Sequence, residues 1–149
     1  MCDYSLANER TRLAVVGEEL VLHQFRQGTR GFTSPQELAD LGKTFTKLKS
    51  KVFNSVKQDP CAVCIPPGAK LQISGIGSIN RNHYHISENE EVTFTQTSMD
   101  ANRHRDAVIF KNGAVVRIQY FAEGLIAKII SLEGAIEREP VHEHAFAAR

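Results

Sequence analysis

His83-Tyr84-His85 sets two imidazoles two residues apart, a spacing that puts both on one face of an extended segment. Two such nitrogens can share one divalent metal. A carboxylate from Glu88, Glu90 or Glu91 would complete a two-histidine, one-carboxylate set, with His83, His85 and Glu90 as the ligands. That set suits Fe(II) or Mn(II) and leaves positions open for water or substrate. His104 offers a further imidazole, although Asn102, Arg103 and Arg105 around it read as a loop. The competing reading makes His83 and His85 solvated loop residues beside Asn80 and Asn82.

Thiols supply the second chemistry. Removal of Met1 would expose the α-amine of Cys2 beside its thiol, a nucleophile carrying its own base. The alternative packs Cys2 inward on an edge strand formed by Met1–Leu6. Cys61-x-x-Cys64 has the spacing of a redox pair, but Ile65-Pro66-Pro67 follows it, so the segment reads as extended. Residues three apart on a strand face opposite sides, which favours Cys64 as a small buried apolar residue. Three cysteines, an odd number, together with an N-terminus that lacks an apolar signal core, predict reduced thiols in a cytoplasmic protein.

A third surface is basic. Lys43, Lys47 and Lys51, with Lys57, fall on the polar side of a helical pattern, where they could meet phosphates or an acidic partner. A lysine-rich outer face also keeps a surface helix soluble, and that reading is the simpler one. The net charge of +1 gives no global field for nucleic acid, and no recognition motif accompanies the lysines. Nucleic acid is therefore not an expected partner. Leu125–Leu132 is the longest apolar stretch, is broken by Lys128, and is too short to span a membrane.

The elements that would carry these residues are mostly strands. Ser34-Pro35-Gln36-Glu37 has the capping serine, first-turn proline and third-position glutamate of a helix start. Leu38, Leu41, Phe45, Leu48, Val52 and Val56 then fall within an arc of about 80° on a helical wheel. The spacing predicts a long amphipathic helix over about 35–57, ended by Asp59-Pro60. Elsewhere Arg12–Phe25, Cys61–Ile65, Ala69–Ile73 and Glu91–Thr97 read as short strands, and Gly75–Glu90 as a long loop. Asn112-Gly113 marks a tight hairpin between Ala107–Phe110 and Ala114–Phe121, and Leu125–Leu132 would extend it to a three-stranded meander. The chain is thus expected to form one mainly β domain over 1–132, a small barrel or roll, followed by a polar tail over 133–149.

Two resemblances join these readings. Gly77, His83, His85 and Glu90 are spaced as in the first motif of the cupin superfamily, which implies a β-barrel with a metal in its interior. Thr97 stands where that motif has its later glycine, and no Pro-Gly-His second motif follows. Met1-Cys2-Asp3-Tyr4-Ser5-Leu6 resembles the opening of a group of small uncharacterised bacterial proteins. So do Ala62–Ala69, Glu91–Gln96 and Arg105–Val108 with Asn112-Gly113. That likeness implies a bacterial protein, transfers no activity, and draws attention to Cys2, Cys64 and Asp106. The expectation that follows is a cytoplasmic binding or assembly protein, a homo-oligomer or a subunit of a larger assembly. The alternatives are a metal-dependent enzyme or metal-binding protein, and a thiol enzyme using Cys2.

Overall fold

The computed structural model describes residues 10–48, 59–97 and 104–135, with the side chains of 43–48 excepted. Nine strands, two helices and the helical residues 133–135 make up this region. In chain order they are β1 (Thr11–Leu13), β2 (Glu19–Gln24), β3 (Arg30–Thr33), α1 (Pro35–Leu48), β4 (Ala62–Cys64) and β5 (Lys70–Ser74). Next come α2 (Ser78–Tyr84), β6 (Glu90–Gln96), β7 (Asp106–Ile109), β8 (Val115–Arg117), a 3₁₀ turn (Ile118–Tyr120) and β9 (Ile126–Ser131). Seven strands form one antiparallel sheet in the order β3-β2-β9-β5-β6-β7-β8, curled into a half-barrel, while β1 and β4 pair in parallel beside it.

The concave face of the sheet is the apolar one. Along β2, β9 and β5 every second residue turns inward, so Leu20 and Leu22, Ala127 and Ile129, and Leu71 and Ile73 are buried. Val92 and Phe94, then Val108 and Val116, continue the same inner surface. Register carries the inner rows from strand to strand: Leu71 lies between Ile129 and Val92, and Phe94 faces Val108, which faces Val116. Val63 and Ile65 of the β4 region, with Phe32, Phe110, Phe121 and Leu125, complete this core. Ala62 and Phe25 form a smaller cluster of their own.

The mainly β reading holds, and three local expectations need correcting. The helix starts at Pro35 as predicted but is described only to Leu48, fourteen residues, so the rest of the 35–57 expectation lies outside the described residues. Glu37 does not act as a purely local cap: it accepts the Cys61 amide at 2.9 Å and pairs with Arg10. Gly75–Glu90 contains the seven-residue α2 instead of being loop throughout. The meander stops at β8, because the chain tightens into the 3₁₀ turn, and β9 instead lies between β2 and β5.

That 3₁₀ turn brings the two edges of the curled sheet together. Its Gln119 accepts the Arg30 amide at 2.8 Å and donates to the Gly28 carbonyl at 2.9 Å. The Arg30 guanidinium in turn donates to the carbonyls of Gln119 and Phe121. The edge carbonyls and the edge amide are thus satisfied by side chains where no ladder closes the sheet.

A second close contact fixes where the chain leaves the core. Gly68, at φ +97°, and Gly134 approach so closely that a Cβ on Gly68 would stand 2.6 Å from the Gly134 oxygen. A Cβ on Gly134 would stand 2.7 Å from the Gly68 oxygen. Within the expected tail over 133–149, Glu133 is exposed and Ala135 is buried, while 136–149 lie outside the described residues.

Three substitutions, two at these contacts and one on α1, are tested by urea unfolding. Gly68→Ala adds both strain and a clash and should lower stability by about 3 kcal/mol. Gly42→Ala, on α1 with open space around it, should raise stability by roughly 0.5–1 kcal/mol. Gln119→Ala leaves the Arg30 amide and the Gly28 carbonyl without their partner and should cost roughly 2 kcal/mol. A value near zero would mean that the edges hold together without it.

Candidate functional site

The two histidines that opened the sequence argument sit on and just after α2. His83 is exposed in the last turn, with its ring edge-on to Tyr84 at 4.6 Å. His85 is the C-cap residue, in the left-handed conformation at φ 56° and ψ 51°. The shared face expected of these imidazoles depends on extended backbone, and a helix followed by a left-handed residue removes it. Glu90, at the start of β6, accepts the Ser87 amide at 2.9 Å. His104 is half-buried just ahead of β7. Among the described residues no group of three or more histidine, cysteine, aspartate or glutamate side chains is gathered as a metal site would need.

What fixes α2 in place comes from the hairpin. Asn112 donates from its side-chain amide to the carbonyls of Tyr84 at 3.0 Å and His85 at 3.3 Å. These are the last carbonyls of the helix, which have no partner within it. The same Asn112 accepts the Ala114 amide through Oδ1, so one residue shapes the tight turn and caps the helix.

The thiols divide into two kinds. Cys64, buried on β4 opposite Leu13 of β1, is disulfide-bonded, which corrects the expectation of three reduced thiols. Cys61 is free and half-buried. Burial first, and then the nearby Glu37 carboxylate, push the Cys61 thiol above its ordinary range, against a smaller opposing effect of Arg10 and Arg12. A thiol so held stays protonated at neutral pH and is a poor nucleophile. Cys2 lies outside the described residues.

Lys43 and Lys47 fall on α1, but their side chains, like all of Lys51, lie outside the described set. What the structure gathers instead is a charged group around β1 that the sequence reading did not single out. Arg12 donates to both carboxylate oxygens of Glu18, at 3.0 and 2.7 Å, and Glu18 also accepts the Val15 amide. The hydrogen bonds from Arg12 hold the Glu18 carboxyl below the usual carboxylate range in spite of its partial burial. This geometry clamps the β1–β2 turn, and the bidentate fork is the stronger form of such a pair.

A second group forms on the outer surface of the sheet. His23 of β2 lies opposite Gly31 of β3, which has no side chain to shield it. Its Nε2 is 4.0 Å from Asp59 and its Nδ1 is 3.9 Å from Glu123. Asp59 is oriented by the Arg26 amide at 3.1 Å, Glu123 by the Gln24 amide at 2.6 Å. The alternation of β2 predicts an outward His23, but nothing local announces two carboxylates from such distant segments.

Comparison with protein-family models, with curated proteins and with solved structures gives no match, so the chemistry rests on geometry. Among the described residues no helix is long and apolar enough to cross a membrane.

The Arg12–Glu18 pair carries a pH prediction. Because the folded-state value of Glu18 is depressed, its contribution is present above the ordinary carboxylate range and is lost as pH falls below it. Arg12 is 37% exposed, so solvent screening holds the contribution to about 0.5–1 kcal/mol. Glu18→Gln should show that deficit in urea unfolding at about pH 7, and the deficit should shrink steadily as pH falls from the ordinary carboxylate range through the depressed folded value. An equal deficit at every pH would assign the effect to packing.

Proposed function

We propose that this protein is a binding or assembly subunit that works through its surface, and that its first partner is a second copy of itself. The observation that carries the reading is a corner of the molecule where apolar side chains crowd into solvent. Leu13 is 73% exposed, Val15 61% and Val16 56%, three large aliphatics within four residues. Leu13 ends β1 and Val15 and Val16 follow it, and β1 is hydrogen-bonded to β4 on one side only among the described residues. An open edge beside apolar side chains is a surface that self-association covers.

A cytoplasmic location is part of the same proposal. The likeness to the small bacterial proteins that share the opening hexapeptide fits such a role without supplying an activity.

Light scattering coupled to size exclusion tests it. Full-length protein should run above a monomer's mass and fall toward it across a tenfold dilution series. Val15→Asp with Val16→Asp should run as monomer throughout. Ile79→Asp, at an exposed aliphatic elsewhere on the surface, should leave the assembly intact. A monomer at every concentration would overturn the self-association reading.

A further inference from the structure

Asn112 is the only asparagine of the chain that is followed by glycine. That step has a chemistry of its own, because glycine has no Cβ to keep its amide nitrogen away from the asparagine side chain. We propose that Asn112 is a deamidation site, and that its conversion to an acid removes the cap of α2 and frees the C-terminal end of that helix.

The reaction needs only water. The Gly113 nitrogen gives its proton to solvent base and attacks Cγ of Asn112. A C–N bond forms, and the side-chain nitrogen takes a proton back and leaves as ammonia. One water then opens the cyclic imide. Opening at one carbonyl gives aspartate, and opening at the other gives isoaspartate, in which the main chain runs through the former side chain. Nothing is oxidised or reduced, and the loss of ammonia makes the step one-way.

While α2 is docked, the fold occupies both reacting groups. Gly113, at φ +88°, donates its amide to the Phe110 carbonyl at 3.0 Å. Phe110 donates to the Ala114 carbonyl at 2.9 Å, which closes the turn from outside. Asn112 accepts the Ala114 amide through Oδ1 at 3.0 Å, and its Nδ2 reaches the carbonyls of Tyr84 and His85. Cγ has to give up these bonds before it can swing onto the Gly113 nitrogen. Asn112 is itself exposed, so water and base are at hand once they open.

The helix that holds these bonds is lightly held in turn. None of the residues of α2 is buried. Beyond the Asn112 bonds it is tied by Asn80, which donates to the Tyr120 carbonyl at 3.2 Å, and by Tyr84 and Ile86 against the core. The acid differs from the amide in the property the helix uses. A carboxylate donates no hydrogen bond, and its charge would stand against the partly negative carbonyls at the helix end. The product therefore cannot remake the contact that slowed its formation.

The test holds full-length protein at mildly alkaline pH, in buffer and in urea, and maps it by peptide mass spectrometry. Acid should appear at Asn112 ahead of every other asparagine in urea, as separable aspartate and isoaspartate peptides. In buffer the same conversion should run roughly tenfold more slowly, the effect of the hydrogen bonds that must open. Asn80→Ala, which removes the tie to Tyr120, should speed conversion in buffer and leave the rate in urea unchanged. Another asparagine converting first in urea would overturn the site. Equal rates in buffer and urea, or no acceleration in Asn80→Ala, would overturn the link to α2. Hydrogen exchange reads the release: aged parent protein and Asn112→Asp should both exchange faster over residues 78–86, with β5 and β9 unchanged. Exchange like that of fresh parent over 78–86, or a rise across the whole molecule, would overturn the release.

Discussion

A sheet that curls until its first and last strands approach each other leaves backbone groups at both edges that need partners. Here they are met by side chains and not by a closing ladder. Arg30, the first residue of β3, and Gln119, in the turn after β8, exchange hydrogen bonds across the gap and share them with the carbonyls of Gly28 and Phe121. The bonds are few, but the arrangement sets the curvature of everything between them. The inner rows of Leu20, Ala127, Ile73, Leu71, Phe94 and Val108 form one core because the sheet wraps around them. The tight 3₁₀ geometry is what turns Gln119 toward β3 while burying Ile118 and Phe121 on the inside.

Local signals in the sequence were read correctly where the structure itself is local. Ser34-Pro35 starts a helix, Asn112-Gly113 turns a hairpin, and the alternation of Val92 and Phe94 marks a strand with one face buried. The failures are long-range. Ser78–Tyr84 has no apolar stripe, its Ile79 being exposed, and its asparagine and histidine content argues for a loop. The helix depends on the cap that Asn112 brings from another part of the chain. The histidine pair was legible as a spacing, but the spacing means different things on a strand and on a helix. The Arg12–Glu18 clamp and the acidic neighbours of His23 had no signal of their own, since each is created by which segments the fold places side by side.

The charged groups and the thiols share a physical logic. Four of the carboxylates have a backbone amide to orient them: Val15 for Glu18, Cys61 for Glu37, Gln24 for Glu123 and Arg26 for Asp59. Amides at turns and strand ends are the ones the ladders leave over, so acidic side chains collect there and tie loops down. Glu37 adds an electrostatic effect, since the carboxylate that satisfies the Cys61 amide also discourages ionisation of the Cys61 thiol. One interaction both orders the entry to β4 and quiets the half-buried cysteine beside it.

The position of β9 has a consequence for how the chain is made. The β2–β3 hairpin and the β5–β8 run are joined in the sheet only through β9, whose residues come after both. During synthesis the two earlier pieces emerge first, each with an inner apolar surface and an open edge waiting for the same strand. Only when residues 126–131 have cleared the ribosome can the central ladder form and the core become continuous. The central ladder is therefore the last to form, and until then the nascent chain is at its most vulnerable to pairing with a stranger.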